Sequence, residues 1–240
     1  MTKKTFNALL TFVLAFSIVG IGVMASCRQE TVTTPKKDQQ NQESDSGDNS
    51  NNSGDNSFQG TVGDDGLYTP AYKPQGDEIA VFETSKGKIK VQLDGKDCPI
   101  TVGNFIDLVQ RKFYDGTRFH RYEPNFVIQG GDPDSKNFSA DQIKNGDSGT
   151  STLGQGGPGY KIKGEYSSNP NNQHNDGALA MARSNDPDSG GSQFYFCLGA
   201  QHNLDSGYTV FGQTIEGLDV IKLLEKGDEI ISITIENLHQ

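Results

Sequence analysis

The residues with the most chemistry to offer lie in one run, Phe119 to Asp132. There Arg121 stands among apolar and aromatic neighbours, Gln129 follows, and Gly130-Gly131 closes the stretch. Side chains alternate between the two faces of a strand. Arg121 and Gln129 therefore share a face if the strands flanking Pro124-Asn125 stay in phase. Phe126 has the opposite parity and joins them only if the chain turns between, and Pro-Asn is a turn-forming pair. A guanidinium keeps its proton near neutral pH and donates in a fixed fork. Beside an apolar pocket it suits an uncharged, carbonyl-rich ligand such as a peptide. The competing reading is an arginine that caps a strand or pairs with Glu123. No serine, cysteine or carboxylate has the neighbours of an activated nucleophile. His120, next to Arg121, points to the other face of a strand and is read as structural.

Two further blocks follow. Gly177-Ala178-Leu179-Ala180-Met181-Ala182-Arg183 leads to Gly191-Ser192-Gln193-Phe194-Tyr195-Phe196, and then comes Leu204-Asp205-Ser206-Gly207-Tyr208-Thr209-Val210-Phe211-Gly212. The three blocks, in this order across residues 77–240, resemble the cyclophilins. The resemblance implies a mainly β fold: a closed eight-stranded antiparallel barrel capped by two α-helices, one over each end. It also implies peptidyl-prolyl cis–trans isomerase activity with no cofactor. On the matched positions Arg121 is the catalytic arginine, with Phe126 and Gln129 beside it. Phe126, Val127, Tyr195 and Leu204 line the proline pocket, and Gln129 holds the substrate backbone. Ala182 and Gln193 lie in the peptide groove, and Tyr208 is at the pocket edge.

Rotation about a peptide bond faces a barrier of about 18–20 kcal/mol. Twisting an X-Pro amide ends its resonance and leaves the proline nitrogen more basic. A fixed donor at that nitrogen binds the twisted state better than the planar one, which is the condition for catalysis. The chain departs from the family at several positions. Val127 stands where many members have Met, and Tyr195 where they usually have Phe. Tyr122 and Glu123 replace aliphatics. A buried phenol needs a partner for its hydroxyl. Asn203 replaces the Trp of cyclosporin-sensitive members, so poor cyclosporin binding is expected. These changes keep a second function open, a tethered proline-peptide-binding or chaperone module with little turnover.

The elements that must position these residues are legible in outline. Ile79–Thr84 and Lys88–Leu93 read as a hairpin. Pro99 opens a helix with Thr101 as candidate N-cap, and Val102, Phe105, Ile106 and Val109 form one apolar stripe. Residues 132–158 read as a long loop whose part 135–153 is an insertion relative to compact cyclophilins. Its aspartates lack the order of an EF-hand. Ala178–Ala182, Phe194–Leu198, Tyr208–Phe211 and Ile230–Ile235 read as strands, and Leu218, Ile221 and Leu224 as a short helix.

The 240 residues allow one sizeable domain plus appendages, and a hydrophobic fraction of 32% with 29 glycines points to a diluting polar segment. A net charge of −10 argues against nucleic-acid binding. Three cysteines make no disulfide framework, and Cys98 and Cys197 read as buried thiols. Four histidines without paired spacing argue against a metal site. Residues 1–27 read as a signal peptide: Lys3 and Lys4, an apolar core, then Met24-Ala25-Ser26-Cys27, which resembles a bacterial lipobox with Cys27 as the lipidated residue. The rival is an uncleaved transmembrane anchor. Residues 28–76, rich in Asn, Ser and Asp, are expected to be a disordered tether with a reach of about 40 Å. Residues 77–240 form the isomerase domain. The expected partners are proline-containing polypeptides and a membrane reached through the lipid, and the expected state is a monomer in the bacterial cell envelope.

Overall fold

The structure is a computed structural model and describes residues 60–167 and 169–239. The leader, Cys27 and residues 28–59 of the expected tether lie outside the described residues.

Residues 60–76 correct the expected tether. They carry a small two-stranded sheet, β1 (Thr61–Val62) and β2 (Tyr68–Thr69), with Val62 paired to Tyr68. Two tyrosines supply the apolar area that the rest of this polar stretch lacks. Tyr68 and Tyr72 are buried in the main core. The Tyr68 ring stacks on Tyr160 with centroids 4.2 Å apart, and its hydroxyl donates to Asp107 Oδ2 at 2.6 Å. Tyr72 Oη donates to Glu78 Oε1 at 2.8 Å. Burying a phenol is favourable only when its hydroxyl finds such a partner.

β3 (Ile79–Thr84) and β4 (Gly87–Leu93) form the expected hairpin, with Thr84 opposite Gly87. After α1 (Pro99–Gln110) come β5 (Thr117–Arg118), β6 (Arg121–Glu123) and β7 (Val127–Gly130). The loop that follows carries α2 (Ala140–Asn145). Then come β8 (Ala178–Met181), β9 (Phe194–Cys197), β10 (Val210–Glu216), α3 (Leu218–Leu223) and β11 (Glu229–Glu236). Nine strands make one antiparallel sheet in the order β5-β11-β3-β4-β10-β8-β9-β7-β6. The sheet curls on itself: Phe82 on β3 meets Phe194 and Phe196 on β9, with ring centroids at 5.7 and 5.3 Å.

The expected closed eight-stranded barrel is not what forms. The rims β5 and β6 are not paired with each other, so the sheet is open. The cause lies in the two residues between them. Phe119 donates its N–H to Asp228 O on one side, and His120 donates its own to Gln129 O on the other. The segment spans the seam without laddering it.

The helix α1 buries its predicted stripe, Val102, Phe105, Ile106 and Val109, against the core. Thr101 is not its N-cap; that position is Cys98, whose side chain makes no cap bond. Glu165, 64 residues away from Thr101, replaces a local cap: its carboxylate accepts from Ile100 N–H, Thr101 N–H and the Thr101 hydroxyl at 2.7–3.1 Å. Three α-helices are present among the described residues rather than two. The extra one, α2, starts with a reciprocal Ser139–Gln142 capping box and ends at Gly146, whose φ of +69° favours glycine. Cys98 and Cys197 are buried and unbridged, and burial pushes both thiols up, Cys197 to about 12. They pack as small hydrophobes.

Candidate active site

The hairpin β6–β7 places Arg121 directly opposite Gln129, with Glu123 opposite Val127. The turn falls at Pro124-Asn125. Asn125 takes φ +58°, which Asn tolerates better than most residues. Phe126 N–H closes the turn on Glu123 O at 3.1 Å. That turn resolves the parity problem: the Phe126 ring comes to 6.0 Å from the Arg121 guanidinium carbon. Both readings of Arg121 coexist. It lies 3.5 Å from Glu123 Oε1, an exposed pair of small worth, and also faces the pocket.

A line of amides continues from the arginine. Arg121 Nη1 donates to Gln129 Oε1 at 3.4 Å, Gln129 Nε2 to Gln193 Oε1 at 2.8 Å, and Gln193 Nε2 to Gly156 O at 2.8 Å. Each amide is fixed by the next, so the orientation of Gln129 is set from both ends.

Strand alternation builds the pocket. On β9, Phe194 and Phe196 point into the main core, while Tyr195 and Cys197 join a second apolar cluster on the opposite face. That cluster includes Val127, and Phe126, Ala182, Leu204 and Tyr208 pack against it. The cavity there measures about 190 Å³ and is lined by Phe126, Val127, Tyr195, Leu204 and Tyr208, with Arg121, Gln129, Ala182 and Arg183 at its borders. Every residue assigned to the site by resemblance lines this cavity except Gln193, which reaches it through Gln129, and Cys27, which lies outside the described residues.

Gln193 lines a second cavity of about 430 Å³ that shares Gln129, Ala182 and Arg183 with the first. Its walls are loops, Gly154–Pro158 on one side and Ser184 with Ser189 on the other. Asp132 holds the first loop: its Oδ2 accepts from Gly154 N–H at 2.6 Å and Gly156 N–H at 3.1 Å, and its Oδ1 from Asp134 N–H at 2.9 Å. A Cβ at Gly156 would stand 2.2 Å from Asp132 Oδ1, so only glycine allows the approach. Tyr160, also in the wall, is the ring on which Tyr68 stacks.

The Tyr195 hydroxyl has its partner in His174, whose Nε2 is 3.0 Å away. His174 Nδ1 in turn meets Asp205 Oδ1 at 2.8 Å, and the His174 backbone N–H donates to the same oxygen at 2.7 Å. A carboxylate only accepts, so Nδ1 carries the proton and Nε2 accepts from the phenol. Burial pushes His174 below the ordinary histidine value, against the opposing pull of Asp205. The Tyr195 phenol is pushed up, again by burial. His120 is also buried, and burial lowers it for the same reason.

Three residues that the sequence did not single out thus shape the site: Arg183, His174 and Asp205. The need for a partner at Tyr195 is readable, but its identity is not, because His174 lies 21 residues away.

The family model described as cyclophilin type peptidyl-prolyl cis-trans isomerase matches residues 79–239. A peptidyl-prolyl cis-trans isomerase of Synechococcus elongatus is 44% identical over 158 residues, covering 65% of this chain and 94% of its own. One from Helicobacter pylori is 39% identical, covering 66% and 86%. Among solved structures, a Cryptosporidium parvum cyclophilin crystallised in the presence of the dipeptide Ala-Pro superposes with a TM-score of 0.54 at 26% identity, covering 66% of this chain and 99% of that one. The chain belongs to the cyclophilin-type peptidyl-prolyl cis–trans isomerase family.

Proposed function

We propose that this chain isomerises X-Pro bonds in exported or envelope polypeptides, with Arg121 stabilising the twisted amide. The observation that carries the reading is the Arg121–Gln129 pair at the rim of the apolar cavity. The cavity takes the proline ring. Gln129, oriented by Gln193, takes a backbone group of the peptide. Arg121 stands beside Phe126 with a permanent cationic donor, able to reach a proline nitrogen that gains basicity only when the bond twists. No bond to the protein forms, and no cofactor is called for.

The location rests on the leader and the Met24-Ala25-Ser26-Cys27 pattern, which support a lipid anchor at Cys27. Among the described residues no helix is long and apolar enough to cross a membrane. Mass spectrometry of the N-terminal peptide from bacterial membranes tests the anchor. An unmodified Cys27 would end that part of the reading.

Isomerisation of a short X-Pro peptide by the chain and by Arg121→Ala tests the chemistry. The wild type should accelerate exchange, and the variant should lose most of that while staying folded. A folded wild type that binds proline peptides without accelerating them would make the groove a binding module.

A further inference from the structure

The two cavities of the groove are lined by cations and by no carboxylate. Arg121 borders the first, Lys161 the second, and Arg183 both. The whole chain carries 31 Asp and Glu against 21 Lys and Arg, so composition favours the opposite sign. Acids stand behind the groove, at Asp186 and Glu123, but none lines it.

Two of the three cations are compensated. Lys161 Nζ lies 3.2 Å from Asp186 Oδ2, and Arg121 Nε 3.5 Å from Glu123 Oε1. Arg183 forms no ion pair among the described residues; its partners are neutral. Nε donates to Gly207 O at 2.6 Å and Nη1 to Ser184 O at 2.8 Å, while the guanidinium carbon sits 4.5 Å from the centre of the Tyr208 ring. Asp186 feels the Arg183 charge, but Lys161 and the Asp188 N–H already hold its carboxylate. These contacts fix the plane of the fork and leave its charge unneutralised. A guanidinium has five N–H donors, and a pre-oriented fork matches a carboxylate in two parallel bonds.

We propose that Arg183 is a specificity-determining residue that selects polypeptides with an Asp or Glu just before the proline, pairing with that carboxylate on the ridge between the two cavities. The placement of the proline ring rests on the isomerase reading above; the recognition of the anion does not. Tyr208, under the guanidinium, is itself a wall of the proline pocket, so a carboxylate bound at Arg183 is held next to the ring it accompanies. The unneutralised Arg183 charge also attracts anions at the mouth of the groove, so acidic peptides should associate faster at low salt.

The test compares peptides that differ only in carrying Glu, Ala or Lys immediately before a single proline, with kcat/KM measured in low and high salt. The wild type should favour Glu over Ala by about tenfold and Ala over Lys, a charge-assisted bond in a partly exposed site being worth that order. High salt should compress the ratio. Arg183→Gln should bring the Glu-to-Ala ratio to about one, and Arg183→Lys should retain part of it, which keeps the test alive if the Gln variant fails to fold. Equal rates for the three peptides in the wild type would overturn the proposal, as would a Glu preference that survives Arg183→Gln. If no peptide is isomerised, the isomerase reading has failed, and the same peptides titrated calorimetrically still decide the question: Glu over Ala in affinity, lost in Arg183→Gln, upholds Arg183, and equal affinities overturn it.

Discussion

The smaller cavity and the larger one share Gln129, Ala182 and Arg183 but are held in different ways. The smaller takes Arg121, Val127, Gln129 and Tyr195 from the ladder strands β6, β7 and β9, and its Tyr195 wall is pinned from behind by His174 and Asp205. The larger is walled by loops fastened by side chains, among them the Asp132 carboxylate and the Tyr68–Tyr160 stack. A pocket on ladder strands is shaped by backbone pairing, whereas one on loops depends on a few side chains that can be removed singly. The first should therefore be robust in shape and sensitive in chemistry, and the second the reverse.

The largest effect tests the chemistry of the first cavity. Arg121→Ala should lower kcat/KM by roughly 10²–10³-fold, the loss typical of a transition-state donor. Arg121 is exposed, so the melting temperature should barely move. Asp132→Ala strikes the second cavity: losing a buried acceptor of three backbone N–H groups should cost about 3 kcal/mol of stability, read from urea unfolding. If it instead abolishes turnover of dipeptide-sized substrates while stability is unchanged, the two regions are not separable. Tyr68→Phe keeps the stack and deletes the hydroxyl to Asp107, with an expected cost of about 1–2 kcal/mol. Its KM should rise for long substrates and stay level for short ones.

A pH series sharpens the comparison further. His174 sits below its ordinary value, so the unfolded chain, with a histidine near about 6.5, binds the proton first. The stability this provides is complete above that pH and is lost as pH falls toward the folded value, with a slope of at most about 1.4 kcal/mol per pH unit. His120 adds a contribution of the same sign. Urea midpoints measured from pH 7 to 5 should fall, and His174→Gln should flatten part of that slope; an unchanged slope would rule out a neutral buried His174. The smallest effect belongs to Tyr195→Phe, about 1 kcal/mol, since the ring keeps its place and only the bond to His174 goes.

What the sequence showed follows from how local each feature is. Arg121, Phe126 and Gln129 were readable because strand parity and a Pro-Asn turn act within ten residues of each other. The helix stripe and the 79–93 hairpin were readable for the same reason. The closure of the barrel was not, because it depends on the bonds that Phe119 and His120, between the two rims, make to Asp228 and Gln129 once the chain has folded. Ser139 and Gln142 are the spacing of a capping box and could have revealed α2 inside the expected loop. Residues 60–76 were masked by their polar composition, although Leu67, Tyr68 and Tyr72 break the Asn/Ser pattern. The cap of α1 by Glu165 and the partner of Tyr195 are long-range pairings, invisible until the chain has folded.

Strand β9 sends Phe194 and Phe196 to the main core and Tyr195 and Cys197 to the pocket side. Stability and selectivity are thus written on alternate letters of a single four-residue word. Variation at Tyr195 can retune the ligand surface while the core letters stay untouched, so this strand can drift in preference from one lineage to another without first losing its fold.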